Sequence, residues 1–124
     1  MVVSKDRILR PSLTLFVGAL MTALPAMAET LPASEASAHL GQTVTVEGVV
    51  TATPTTINRT QFLDFGAAYP NQDFSAEISA ADAAHFPRAS DYNGKRVEVT
   101  GTITLYHGKP ELILTSPDKV KVVQ

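Results

Sequence analysis

The sequence predicts a small all-β barrel, and three observations point there. The first is a long alternating run at residues 94–114. Val97, Val99, Ile103 and Leu105 fall on one face, with Glu98, Thr100, Thr102 and Thr104 on the other. That period-two pattern belongs to a half-buried antiparallel strand. His107-Gly108-Lys109-Pro110 then turns the chain into a return strand, in which Pro110 can only start the strand or sit on an edge. The second is an internal echo. Gly41, Val44, Val46, Gly48 and Val50 repeat the spacing of Gly94, Val97, Val99, Gly101 and Ile103. A glycine inside a strand marks a bend or bulge, and two bent strands in a short chain suggest closure. The third is the order of elements along the chain.

The N-terminus is set aside before that order is read. Lys5, Arg7 and Arg10 precede an apolar run at 13–24, and Ala26-Met27-Ala28 stands ahead of Glu29. This is the pattern of a cleaved signal peptide, 1–28, too short and wrongly flanked for a spanning helix. No cysteine follows the run, so a lipid anchor is not expected. The expectation is a periplasmic or secreted bacterial protein without stable membrane insertion after cleavage.

Residues 29–40 read as a leader, loose at 29–33, with a short helix opened by Ser34 and stopped by Gly41. The domain proper is 41–124. Strand one is expected at 43–53 with Val44, Val46 and Val50 inward, closed by Pro54. Strand two is 60–66. An aspartate is costly to bury alone, so Leu63 and Phe65 are assigned to the core, and Phe62 and Asp64 to the outer face. A one-residue slip would reverse that assignment. Tyr69-Pro70-Asn71 makes a turn. Strand three is 73–79, with Phe74, Ala76 and Ile78 inward. An alanine-rich helix at 80–86 ends at Pro87. The two hairpin strands follow, then a turn at 115–118 and a short final strand at 119–123.

Three strands, a short helix, then two strands is the order of the five-stranded Greek-key barrel called the OB-fold. Phe62-Leu63-Asp64-Phe65-Gly66, Tyr69-Pro70-Asn71-Gln72-Asp73-Phe74 and Tyr106-His107-Gly108-Lys109-Pro110-Glu111 add detail, together with the glycine-bent strand 41–50. On these residues the chain resembles bacterial exported OB-fold proteins grouped as nucleic-acid-binding-like, and through them the anticodon-binding OB domains of tRNA synthetases. The resemblance spans about residues 40–123. It implies an all-β, five-stranded Greek-key barrel with a short helix between strands three and four. It also implies a ligand face on strands two and three, flanked by two loops. That face would carry Arg59, Phe62, Asp64, Tyr69, Gln72, Glu77, Tyr106, His107 and Lys109. Phe62, Tyr69 and Tyr106 would stack bases or sugar rings, and Arg59 and Lys109 would meet anions. The plainer alternative is that Phe62 covers the leader, Tyr69 packs on its own turn, and the cations are solvated.

The chain has 124 residues, and cleavage after Ala28 leaves 96, enough for one modest core. With no cysteine, disulfides, thiol catalysis and zinc–thiolate sites are excluded. Beyond the signal peptide stand seven Lys and Arg against eleven Asp and Glu, a formal charge of −4. A protein that grips phosphates shows a basic stripe, and here the cations are scattered. Asp64, Asp73 and Glu77 raise the thought of a metal-dependent nuclease, but only Arg59 stands near them as a cation for the transition state. His39, His85 and His107 sit on separate elements, without ligand spacing or a nucleophile motif. The reading is a non-enzymatic binding module without cofactor or metal. Its ligand is a weakly bound single-stranded nucleic acid or, alternatively, a sugar or oligosaccharide, a small cation, or an envelope protein. If the signal peptide is real, the intact mass of the exported protein corresponds to a chain beginning at Glu29. A mass that retains 1–28 removes the expectation of export.

Overall fold

The structure is a computed structural model and describes residues 29–123. The expected signal peptide and Gln124, the last residue of the expected domain, lie outside that range. Eight strands appear: β1 (Thr30–Pro32), β2 (Thr43–Ala52), β3 (Gln61–Phe65), β4 (Phe74–Ile78), β5 (Arg96–Thr102), β6 (Thr104–Tyr106), β7 (Lys109–Ile113) and β8 (Val120–Val122). Short 3-10 turns occupy Ala33–His39, Ala80–His85, Ala89–Tyr92 and Pro117–Lys119. Both expected helices are therefore 3-10. Neither has a side-chain cap, and the second is closed by three-residue bonds from Asp82 N to Ser79 O and Phe86 N to Ala83 O. That is the tighter geometry used by short pieces.

The strands are hydrogen-bonded in the order β6-β7-β4-β3-β2-β5-β8, with β1 beside β2. β4 pairs β7 in parallel, as β1 does β2, and the other pairings are antiparallel. This corrects the expected five-stranded closed barrel to an open, mostly antiparallel sheet of eight. Two local causes are visible. The leader is not loose: it forms β1 because Leu31 is buried in the core, with Ala33 and Ala36 behind it. The expected fourth strand is divided at Ile103, so that β5 lies on β2 and β6 lies on β7.

The alternation read from the sequence holds for the core. Val44, Val46, Val50, Leu63, Phe65, Phe74, Ala76, Ile78, Val97, Val99 and Ile103 are all buried, joined by Leu112 and Leu114. Phe65 and Phe74 pack with ring centroids 5.3 Å apart, within the range where aromatic pairs gain beyond their area. Leu105 departs from the expected pattern. It is 56% exposed, because β6 is a sheet edge that pairs, among the described residues, with β7 alone.

The echo in the sequence becomes a local two-fold. Gly41 N donates to Ile103 O, and Gly94 N donates to Val50 O; Ile103 N donates to Gln42 O, and Val50 N donates to Lys95 O. Gln42 N returns to His39 O as Lys95 N returns to Tyr92 O. Gly41 and Gly94 hold φ of 82° and 83°, the left-handed region that glycine enters without a Cβ clash. Each launches a strand from a 3-10 turn, and the two strands then pair with each other.

Gly48 has a packing role. A Cβ there would stand 3.0 Å from Phe65 Cδ2 and 3.3 Å from Ala33 Cβ. Phe65 is fully buried and has no room to yield. Gly48→Ala is therefore expected to destabilise the fold by about 1–3 kcal/mol through overpacking, read as a lowered urea midpoint. A variant as stable as the parent would show that the core gives way at this point.

Candidate functional site

The face of β3, β4 and β7 that points away from the core carries the site. Cross-strand register sets its rows. Asp64 lies opposite Ser75, and Ser75 opposite Glu111; beside them Phe62 lies opposite Glu77, and Glu77 opposite Ile113. Leu63, Ala76 and Leu112 form the alternate row and face the core. A cavity of about 320 Å³ opens over the first row, walled by Phe62, Tyr69, Pro70, Gln72, Tyr106, His107, Lys109 and Pro110, with Pro54 and Thr56 at one side.

The rim is aromatic. Phe62 and Tyr106 have ring centroids 6.4 Å apart, and Tyr106 and His107 4.1 Å. Tyr106 and His107 are presented by the β6–β7 hairpin, whose two-residue turn has φ of 52° at His107 and 78° at Gly108. Two successive positive φ values match the twist of a hairpin. Tyr69 stands two-thirds exposed at the mouth, on a turn whose Tyr69–Pro70 peptide is cis. Asn71 N donates to Ala68 O to close that turn.

The floor is acidic and buried. Asp64 is 2% exposed, Glu111 5% and Gln72 6%. Ser75 Oγ donates to Asp64 Oδ1 at 2.8 Å. Asp64 Oδ2, Glu111 Oε2 and Gln72 Oε1 are buried without a protein partner. Lys109 Nζ donates to the Gln72 backbone carbonyl at 3.2 Å, which commits its charge to the wall. Burial raises the Asp64 carboxyl above the usual carboxylate range, against the lowering pull of the Ser75 hydroxyl and the Tyr69 backbone N–H. Burial also pushes Glu111 up to about 8, helped by the charge of Glu77 and a hydrogen bond with it.

Most of the residues expected at the site meet here. Phe62, Asp64, Tyr69, Gln72, Tyr106, His107 and Lys109 all line the cavity. Arg59 does not: it occupies the tip of the loop between β2 and β3, exposed, with φ of 68° and its N–H donated to Thr56 O. Glu77 lies behind Glu111 and outside the lining. Asp64 is on the expected face yet buried, because Tyr69 and Gln72 fold over the end of β3. Ser75 and Glu111 were not foreseen as site residues. Strand parity was the available signal: Ala76 and Leu112 point to the core, so their neighbours point to the cavity. Among the described residues no cluster of three or more His, Asp or Glu side chains is placed to hold a metal ion.

No family model matches the chain, and neither does any curated protein. Solved structures do. An asparaginyl-tRNA synthetase from Pyrococcus horikoshii aligns with a TM-score of 0.57 at 19% identity, covering 79% of this chain and 24% of that one. A protein described as an aspartyl-tRNA synthetase from Leishmania major Friedlin gives 0.54 at 17%, covering 86% and 23%. OBody AM1L10, solved bound to hen egg-white lysozyme, gives 0.56 at 15%, covering 83% of this chain and 99% of its own. The likeness is one of fold. This chain spans about a quarter of each synthetase and has the all-β, OB-like architecture they share.

Glu111 generates a stability prediction with a definite sign. Its folded pKa, about 8, lies above the unfolded 4.5, so the folded state holds a proton that the unfolded state releases. Stability therefore falls as pH rises between those values. Glu111→Gln removes the ionisation and is expected to raise stability at about pH 8 by on the order of 1–3 kcal/mol, an advantage that fades below about pH 4.5. Urea denaturation across that range reads it. An advantage independent of pH would place the cause elsewhere.

Proposed function

We propose that this chain is an exported, non-enzymatic binding module on an OB-like frame, in which β2, β3, β4, β5 with β6, and β7 take the places of the five Greek-key strands. Its ligand is single-stranded nucleic acid, held weakly and through its bases. The observation that carries this reading is the aromatic rim of Phe62, Tyr106 and His107 over a cavity of about 320 Å³. Stacking on such rings contributes about 1–3 kcal/mol per base and tolerates any base. The phosphate contribution is small. Lys109 is engaged with a backbone carbonyl, Arg59 stands off the cavity, and the floor beneath the rim is acidic. The fold shared with two tRNA synthetases supports the same reading without fixing it. Export rests on the signal-like segment 1–28.

A second reading, a small organic cation, is favoured by the buried carboxylates of Asp64 and Glu111 under aromatic rings, the setting for cation–π contact. Benzylammonium binding that weakens on Asp64→Asn, with no affinity for oligonucleotides, would favour it over the first. No feature of the described residues singles out an oligosaccharide or an envelope protein.

The nucleic-acid reading predicts a shallow salt dependence. Proteins that neutralise six to ten phosphates lose about 10³–10⁵ in affinity between roughly 50 and 200 mM salt; here the loss is expected to stay within about tenfold. Phe62→Ala and Tyr106→Ala should each weaken binding of a fluorescent single-stranded DNA by about 5- to 100-fold, while Arg59→Ala leaves it within about twofold. No binding at low salt, or a dependence on Arg59 rather than on the rings, would overturn the reading.

A further inference from the structure

We propose that the floor of the cavity reads the hydrogen-bonding edge of the inserted base, favouring cytosine over uracil because the floor lacks donors. This inference rests on the nucleic-acid reading and names the bases which that site takes. Ser75 sits between two carboxylates, opposite Asp64 on one side and Glu111 on the other. Its single hydroxyl proton goes to Asp64 Oδ1. Asp64 Oδ2, Glu111 Oε2 and Gln72 Oε1 then remain as buried acceptors without a protein partner, on three side chains each more than nine-tenths buried. The nearest ammonium, on Lys109, is donated to the Gln72 carbonyl. A buried acceptor left without a donor carries its full desolvation cost. A ligand gains most by supplying N–H groups.

Cytosine supplies them as an exocyclic amino group with two protons. Uracil places a carbonyl oxygen at the same position, and its one ring N–H lies between two carbonyl oxygens. Against this floor that oxygen meets acceptors, and sites that bond a substrate N–H or O–H reject analogues lacking it far more strongly than apolar pockets reject a missing methylene. The ring faces of the two pyrimidines are alike. The rim therefore holds both, and the floor separates them.

The test is fluorescence anisotropy with oligo-deoxycytidine and oligo-deoxyuridine of about twelve nucleotides, which share sugar, phosphates and ring size and differ only in the edge presented. The expected result is tighter binding of the cytidine oligomer by about tenfold near neutral pH. Asp64→Asn, which keeps an oxygen for Ser75 and adds an N–H, should cut that preference below about threefold. Glu111→Gln provides a second variant with the same expected direction, and circular dichroism confirms that each folds. Phe62→Ala should weaken both oligomers together. Equal affinities, or tighter uridine binding, would overturn the selectivity and leave the base-binding module standing. An undiminished preference in both folded variants would overturn the floor as its source. Binding of neither oligomer would overturn both the selectivity and the module.

Discussion

The antiparallel ladder between β2 and β5 holds the two halves of the described chain together, from Thr43 opposite Thr102 to Val49 opposite Arg96. On one face it buries Val44, Val46, Val97 and Val99. On the other, Thr43 bonds Thr102 and Thr45 bonds Thr100 through their hydroxyls, both at 2.8 Å, the cross-strand pairing by which sheets are stabilised. Each end is pinned by the same two backbone bonds around a left-handed glycine. β1 and β3 then attach to β2, β8 attaches to β5, and the turn at Ile103 directs β6 toward β7. The cavity over β3, β4 and β7 depends on this ladder, because β3 pairs with β2 and the ladder fixes which parity faces inward.

Within the site, two carboxylates are buried where an apolar floor would cost less. Burying a charge without a partner is among the most expensive substitutions a fold can carry. The structure softens that cost with Ser75 on Asp64 and with the raised pKa of Glu111, which favours its uncharged form. Three acceptor oxygens still lack donors. Such an arrangement lowers stability, and local costs of this kind concentrate where a fold serves something other than its own packing.

The core was legible in the sequence because alternation is a property of a single strand. Val44, Phe74 and Val97 could each be placed from their neighbours alone, whereas the face shared by Phe62 and Asp64 was assigned through the cost of burying Asp64 and stayed open to a one-residue slip. Relations between strands were harder to read. That Glu77 faces Phe62 while Ser75 faces Asp64 depends on register, which no single strand contains. Arg59 was expected at the site as part of a loop flanking the ligand face, but that loop turns back on itself through Thr56 and carries it away. Leu105 had the right parity, but the break at Ile103 left it on an edge strand. The burial of Asp64 followed from a turn, 66–73, whose path the alternation did not encode.

The separation of rows on β3, β4 and β7 has a consequence for how such a protein can diversify. Leu63, Ala76 and Leu112 maintain the scaffold, while Asp64, Ser75 and Glu111 line the cavity, one residue away on the same strands. Exchanging side chains in the second set leaves the first undisturbed, so new partners can be acquired without rebuilding the interior. OBody AM1L10, with the same fold and solved on lysozyme, shows how different the cargo of one such frame can be. The frame is heritable as one set of alternate positions, and its specificity as the other.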